Sequence, residues 1–367
     1  GNNLVLTIDQ HIQFIAEQSL ADAVDQHDAR SGMAIVMDPE TGAILAMAHY
    51  PYFNPNSIRR SNPGTRRNRA LTDPFEPGST MKIFSAAAAL QSGRISSSKI
   101  YYCENGSYSV GGHIINDTKP HDWLSLQQIV KYSSNIGIVK VVKDIGSEVL
   151  YSNLKNFGFG EHTSIDCPGE SRGLLSNCKQ WTSVDRGAIA FGHGISVTAL
   201  QLITAASALA NDGIMMRPYL VKAVTDATGR VIHKTEHERQ HRVVSSDVAW
   251  NVRHIMRSVI TSGGTGTEAE LEGYAVCGKT GTAQKIDSDG TYAHDRYTSS
   301  FVGFAPLEHP VLSVLVVVDE PKNSHYGGTV AAPAFKRIVK ETMGYLNITP
   351  YRSIERLRVS RDIKNSG

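Results

Sequence analysis

Phe75-Glu76-Pro77-Gly78-Ser79-Thr80-Met81-Lys82 sets a serine at the mouth of a helix. Pro77 and Gly78 mark a bend. The run from Thr80 through Ile83, Phe84 and the alanines to Leu90 predicts a helix closed by Gly93. Ser79 then lies at a helix N-terminus, where unpaired N–H groups and the macrodipole favour developing negative charge. Lys82, three residues on, shares its face. A serine hydroxyl is a weak nucleophile until a base takes its proton, and a lysine of lowered pKa at this spacing can be that base. A capping serine followed by a solvated lysine gives the same S-x-x-K letters, so the decision rests on the rest of the chain.

The chain has 367 residues, enough for one large domain or two ordinary ones. A formal net charge of +2 argues against a nucleic-acid partner. No stretch approaches the ~18 apolar residues of a spanning helix, and the longest strong run, 311–318, predicts a buried strand. There is no charged-then-apolar leader. Gly1-Asn2-Asn3 runs straight into an apolar segment, so a domain cut from a longer protein is expected. Cys103, Cys167, Cys178 and Cys277 show neither a C-x-x-C pair nor metal spacing. They read as buried free thiols, with a Cys167–Cys178 disulfide conceivable from nearness alone. Scattered histidines, among them His121 and His193, suggest no metal site, and no cofactor is expected.

Working outward from Ser79, residues 4–8 predict a short strand and 12–20 a helix capped by Asp9. Residues 33–38 and 43–48 predict a hairpin turning through Pro39-Glu40-Thr41-Gly42. Residues 51–74, with Arg59, Arg60, Arg66, Arg67 and Arg69, read as a long surface loop of solvated charges. Helices are expected over 124–132, 136–145, 198–211 and 246–258, strands over 274–278, 298–304 and 311–319, and a last helix over 331–346. Strands at both ends with helices between predict an α/β sandwich around one antiparallel sheet, with an all-helical subdomain inserted roughly within 80–270. Residues 1–348 would form the domain and 349–367 a tail or linker.

Two further fragments join the first. Ser133-Ser134-Asn135 is an S-x-N element between two helices, and Lys279-Thr280-Gly281 follows Cys277-Gly278 on a strand. S-x-x-K, S-x-N and K-T-G in that order form the signature of serine acyltransferases that react with penicillin. A competing pattern is present: Gly273-Tyr274-Ala275-Val276-Cys277-Gly278-Lys279-Thr280 satisfies G-x-x-x-x-G-K-[ST]. A phosphate loop must open a helix so that its N–H groups cradle the phosphates, and no helix is expected after Thr280. G-x-S-x-G does not occur around Ser79, so a catalytic histidine is not required.

The chain resembles the transpeptidase domain of class B penicillin-binding proteins over nearly its whole length. The likeness includes Leu6-Thr7-Ile8-Asp9, Asn68-Arg69-Ala70, Gly192-His193-Gly194, Gly263-Gly264-Thr265-Gly266, Phe301-Val302-Gly303-Phe304-Ala305-Pro306 and Tyr326-Gly327-Gly328. It departs at His193, where glutamine or tyrosine is expected, and at Cys167, where an apolar residue is usual.

The resemblance implies a serine β-lactamase/transpeptidase-like fold and a D,D-transpeptidase acting through a serine acyl-enzyme. Ser79 would be the nucleophile and Lys82 its base. Ser133 would relay protons, and Asn135 would hold Lys82 and the substrate amide. Lys279 would be catalytic too, a second cation that lowers the Lys82 pKa, and would help Thr280 and Thr282 bind the substrate's terminal carboxylate, with Gly281 in the same substrate-binding stretch. Partners implied are peptidoglycan stem peptides (a D-Ala-D-Ala donor and an amine acceptor), β-lactam antibiotics, and membrane wall-synthesis or divisome proteins. A membrane anchor ahead of Gly1, work on the extracytoplasmic face and the septal branch are also implied. A serine β-lactamase or a penicillin-sensing module would use the same residues.

Overall fold

The computed structural model describes residues 1–60, 63–287 and 289–350. Its centre is a five-stranded antiparallel sheet in the spatial order Cys277–Ile286, Tyr292–Ala305, Leu312–Asp319, Ser31–Met37, Ile44–Tyr50. Strands from the two ends of the chain meet in its middle, where Ser31 pairs with Asp319 and Met37 with Ser313.

Strand alternation builds two apolar faces. Met33, Ile35, Met37, Leu315 and Val317 enter one core, and Ala34, Val36, Val314, Val316 and Val318 enter the other. Gln10–Gln26 and Ala332–Tyr345 cover the second face, and Ala199–Ala210 and Ser246–Ile260 the first. Both sides of Leu312–Asp319 are therefore dry, which is why its sequence is apolar without alternation. Each fully buried Val, Leu or Ile there contributes about 1.5–3 kcal/mol. Asp9 caps Gln10–Gln26 by accepting from the amides of His11 and Ile12 at 2.8 and 3.1 Å.

The insert is not all-helical. Met81–Gln91, Leu126–Lys131, Asn135–Ile145, Ser147–Asn156 and Ser183–Ala190 are accompanied by two ribbons, Ile100–Tyr102 with Trp123–Ser125 and Ser107–Val110 with His113–Asn116. The second ribbon turns on Gly111-Gly112, both with positive φ, a two-residue hairpin signal already present in the sequence. Ala199–Ala210 and Ser246–Ile260, expected within the insert, pack on the sheet instead.

Three smaller expectations also change. The arginine-rich loop contains short helical turns, and Arg69 is half-buried, bonded to Ser31 Oγ and 3.6 Å from the Asp73 carboxylate. All four cysteines are free. Cys103 and Cys277 are buried, whereas Cys167 and Cys178 are partly exposed and unbridged. The expected tail lies outside the described residues beyond 350. Among the described residues, no helix is long and apolar enough to cross a membrane.

Candidate active site

A tight turn delivers Ser79. Gly78–Thr80 is a 3-10 turn running into Met81–Gln91, a helix buried along nearly its full length, where the alanine run lets neighbouring helices approach. Gly78 has φ +54, and a Cβ there would lie 2.7 Å from the carbonyl oxygen of Thr282. Gly281 is required for the same junction seen from the sheet: its Cβ would stand 2.2 Å from Ser300 Oγ and 2.9 Å from the Pro77 carbonyl. The two glycines let the K-T-G strand lie against the turn that carries the serine.

Lys82 is fully buried, and its side chain leans back over the preceding turn towards Ser79. Its Nζ lies 2.9 Å from Ser79 Oγ, 3.0 Å from Ser133 Oγ, 2.8 Å from the Ser133 carbonyl and 2.7 Å from Asn135 Oδ1. The last two oxygens can only accept. A neutral amine meets them with its two N–H groups and keeps its lone pair for a hydroxyl proton. Burial favours that state, pulling the Lys82 pKa down to about 7 against the opposing charge of Asp117.

Ser133 and Asn135 come from the link between Leu126–Lys131 and Asn135–Ile145. Ser133 is held at φ +60, a left-handed conformation that costs a non-glycine residue about 1–3 kcal/mol. The neighbouring cap sustains it. Ser134 Oγ accepts from Gly137 N at 2.9 Å and donates to Asp117 Oδ2 at 2.5 Å. Asp117 Oδ1 accepts from the amides of Asn135 and Ile136 at 2.5 and 3.0 Å. Asn135 Nδ2 donates to the Asn116 carbonyl at 3.0 Å, which turns Oδ1 towards Lys82. Asp117 is absent from the sequence candidates, because only the Ser107–Asn116 ribbon brings it here.

Lys279, also fully buried, donates to Ser133 Oγ at 3.2 Å and to Thr280 O and Oγ1, each at 3.1 Å. Burial, and then the nearby Lys82, hold its pKa well below the ordinary lysine value. Thr280 Oγ1 lies 3.0 Å from Thr265 Oγ1, and Thr282 Oγ1 accepts from Gly327 N at 3.1 Å. The strand continues to Ile286, and the next element among the described residues is the strand Tyr292–Ala305, so the phosphate-loop pattern at Gly273–Thr280 lacks its cradle.

Ser79, Ser133, Asn135, Thr280 and Thr282 open onto one cleft of about 690 Å³. Sequence reasoning missed its aromatic lining. Tyr297 and His325 stack at 4.3 Å and His325 meets Tyr326 at 4.4 Å, while His121 stacks on Tyr132 at 5.0 Å. These residues are scattered through the chain, and only Tyr326 falls in a stretch that carried the likeness, Tyr326-Gly327-Gly328, where it had no assigned role. Among the described residues no group of three or more His, Cys, Asp or Glu side chains could hold a metal.

The penicillin binding protein transpeptidase domain model matches residues 32–340. "Probable peptidoglycan D,D-transpeptidase PenA" of Neisseria gonorrhoeae is 36% identical over 355 residues, covering 96% of this chain and 59% of the relative. "Peptidoglycan D,D-transpeptidase FtsI" of Escherichia coli K12 is 33% identical over 95% of this chain and 57% of the relative. The chain thus spans well under two thirds of these two relatives. Penicillin binding protein 3 of Mycobacterium tuberculosis, solved with ampicillin, superposes with a TM-score of 0.90 at 33% identity, covering 95% of this chain and 80% of that one. The apo transpeptidase domain of Burkholderia pseudomallei penicillin-binding protein 3 gives 0.83 at 34% identity, covering 94% and 97%. With the match running through the serine turn, the Ser133 link and the K-T-G strand, this chain belongs to the penicillin-binding protein transpeptidase family.

Proposed function

We propose that the protein is a serine D,D-transpeptidase that cross-links peptidoglycan stem peptides and is acylated by β-lactams. The observation that carries this is the shell around Lys82 Nζ: two obligate acceptors and two hydroxyls around a buried amine whose pKa is about 7. That arrangement makes Lys82 a base for Ser79 at neutral pH.

Ser79 Oγ attacks the carbonyl between the two D-alanines while its proton passes to Lys82. Ser133, in contact with both lysines, hands a proton to the departing D-alanine amine. The backbone N–H groups of Ser79 and Thr282 hold the oxyanion, at about 3 kcal/mol per donor. Thr280, Thr282 and Lys279 receive the terminal carboxylate, and the arriving anion raises the Lys279 pKa and restores its charge. Gly281 keeps the strand close to the serine turn. An acceptor amine then displaces Ser79 and forms the cross-link.

The names of the relatives favour a place for the whole protein in peptidoglycan synthesis; work on the extracytoplasmic face of the membrane with septal partners is our reading of the family resemblance. The test is intact mass during hours with benzylpenicillin. One penicillin retained on the wild type and none on Ser79→Ala is the expected result. Rapid turnover would make it a β-lactamase, and no adduct at all would overturn the reading.

A further inference from the structure

We propose that His193, oriented by Glu76, is the second base of the cross-linking step: it takes the proton that the Lys82–Ser133 relay cannot. The inference rests on the transpeptidase reading above.

The need arises from proton counting. An acceptor amine of lysine type has a pKa of about 10.4 and arrives as an ammonium. Forming the amide removes two protons from its nitrogen. As nitrogen bonds to the acyl carbon and the carbon–Oγ bond breaks, one proton passes through Ser133 and Lys82 to Ser79 Oγ. The other needs a separate acceptor, which becomes a cation.

His193 fits that task. Glu76 is largely buried, and its Oε1 accepts from the Gly194 amide at 2.7 Å and from the Tyr292 hydroxyl at 3.3 Å. Among the described residues its buried Oε2 has no hydrogen-bond partner, with Nδ1 of His193 3.2 Å away. A buried carboxylate oxygen is costly unless a donor faces it, which selects the tautomer with the proton on Nδ1 and leaves the lone pair on Nε2.

The ring is also well placed. His193 lines the cleft with Ser79, and the adjacent Gly192 carbonyl accepts the Gly78 amide at 3.1 Å. The imidazole is thus anchored one residue from the backbone contact that positions the nucleophile. Phe191 at 5.4 Å and Tyr292 at 5.2 Å pack against it. The titratable groups facing it are Glu76, from the segment before Ser79, and Tyr292, from the strand Tyr292–Ala305. His121 and His325, also in the cleft, stack on tyrosines and have no carboxylate within ion-pair range among the described residues.

The experiment follows the acyl-enzyme formed from a thioester donor and measures aminolysis against acylation in the wild type, His193→Gln and Glu76→Gln. With an acceptor amine of lysine-like basicity at pH 7, the aminolysis-to-acylation ratio falls at least tenfold in His193→Gln and less in Glu76→Gln. A weakly basic acceptor, already neutral at the assay pH, restores most of the ratio, because one proton is no longer present. An unchanged ratio, an equal defect with both acceptors, or a loss confined to hydrolysis would overturn the assignment. Failure of the wild type to be acylated would instead overturn the transpeptidase reading beneath it.

Discussion

The carboxylate of Asp117 accepts the backbone N–H of Asn135 at 2.5 Å, so a residue at the foot of a ribbon fixes the helix start that presents Asn135 to Lys82. Asp117→Ala removes three contacts at that helix start and is expected to cost at least the ~1 kcal/mol of a lost cap, read as a lower melting temperature. Asp117→Asn keeps an acceptor and loses the charge. Since that charge holds the Lys82 pKa up, the pH midpoint of acylation should move downward.

As the proposed base, Lys82 has to be neutral, so β-lactam acylation should rise with pH through about 7 and level off above it. Stopped-flow acylation across pH 5.5–9 (roughly the working range around that value) checks this. The same shift has a stability sign. The folded pKa lies below the unfolded value, so the unfolded chain binds more protons between the two, and this group's contribution improves as pH rises from about 7 to the ordinary lysine value. Lys82→Met should flatten that part of the stability curve and cost about 10²–10⁴-fold in acylation.

Gly281→Ala should separate the strand from the serine turn. The added methyl meets Ser300 Oγ and the Pro77 carbonyl, an overpacking cost of about 1–3 kcal/mol. Adding Ser300→Ala removes the first clash and leaves the Pro77 carbonyl and the Thr80 methyl, each at 2.9 Å. Denaturant melts of the double variant should recover part of the stability, while penicillin acylation stays depressed.

Thiol reagents should distinguish the cysteines. Cys167 and Cys178 are partly exposed and free, whereas Cys103 and Cys277 are buried; burial raises the thiols of Cys103 and Cys167 and pushes that of Cys277 far up. The native protein should therefore label at Cys167 and Cys178, and at all four on denaturation. Intact-mass counting of the adducts reads the result directly, and a Cys167–Cys178 bridge would leave the native protein unlabelled.

Much of the frame was legible because its signals are local or periodic. Asp9 marks its helix start, 39–42 its turn, and 311–318 its two-sided burial. The strand Cys277–Ile286 was harder: beyond Gly278 it is largely polar, faces an aqueous cleft, and so lacks an apolar pattern. Serine, S-x-N and K-T-G fragments could be named individually, and the structure brings Lys82, Ser133 and Lys279 within bonding distance. What local reading cannot supply is a partner fixed by tertiary contact: Asp117 beside Asn135, Glu76 beside His193, or His325 stacked on Tyr297. Arg69 escaped for the same reason, its partner Ser31 lying on another element.

The pairing of Ser31–Met37 with Leu312–Asp319 joins residues up to 288 positions apart. During synthesis Ser79, the Ser133 link and the middle helices all emerge before any of the last three strands of the sheet. Until those arrive, the hairpin Ser31–Met37/Ile44–Tyr50 exposes an apolar, unpaired edge. Closure over so long a loop is slow, and the waiting edge is a template for pairing with other chains. A sheet closed by strands so far apart in sequence leaves that edge open until Leu312–Asp319 is in place.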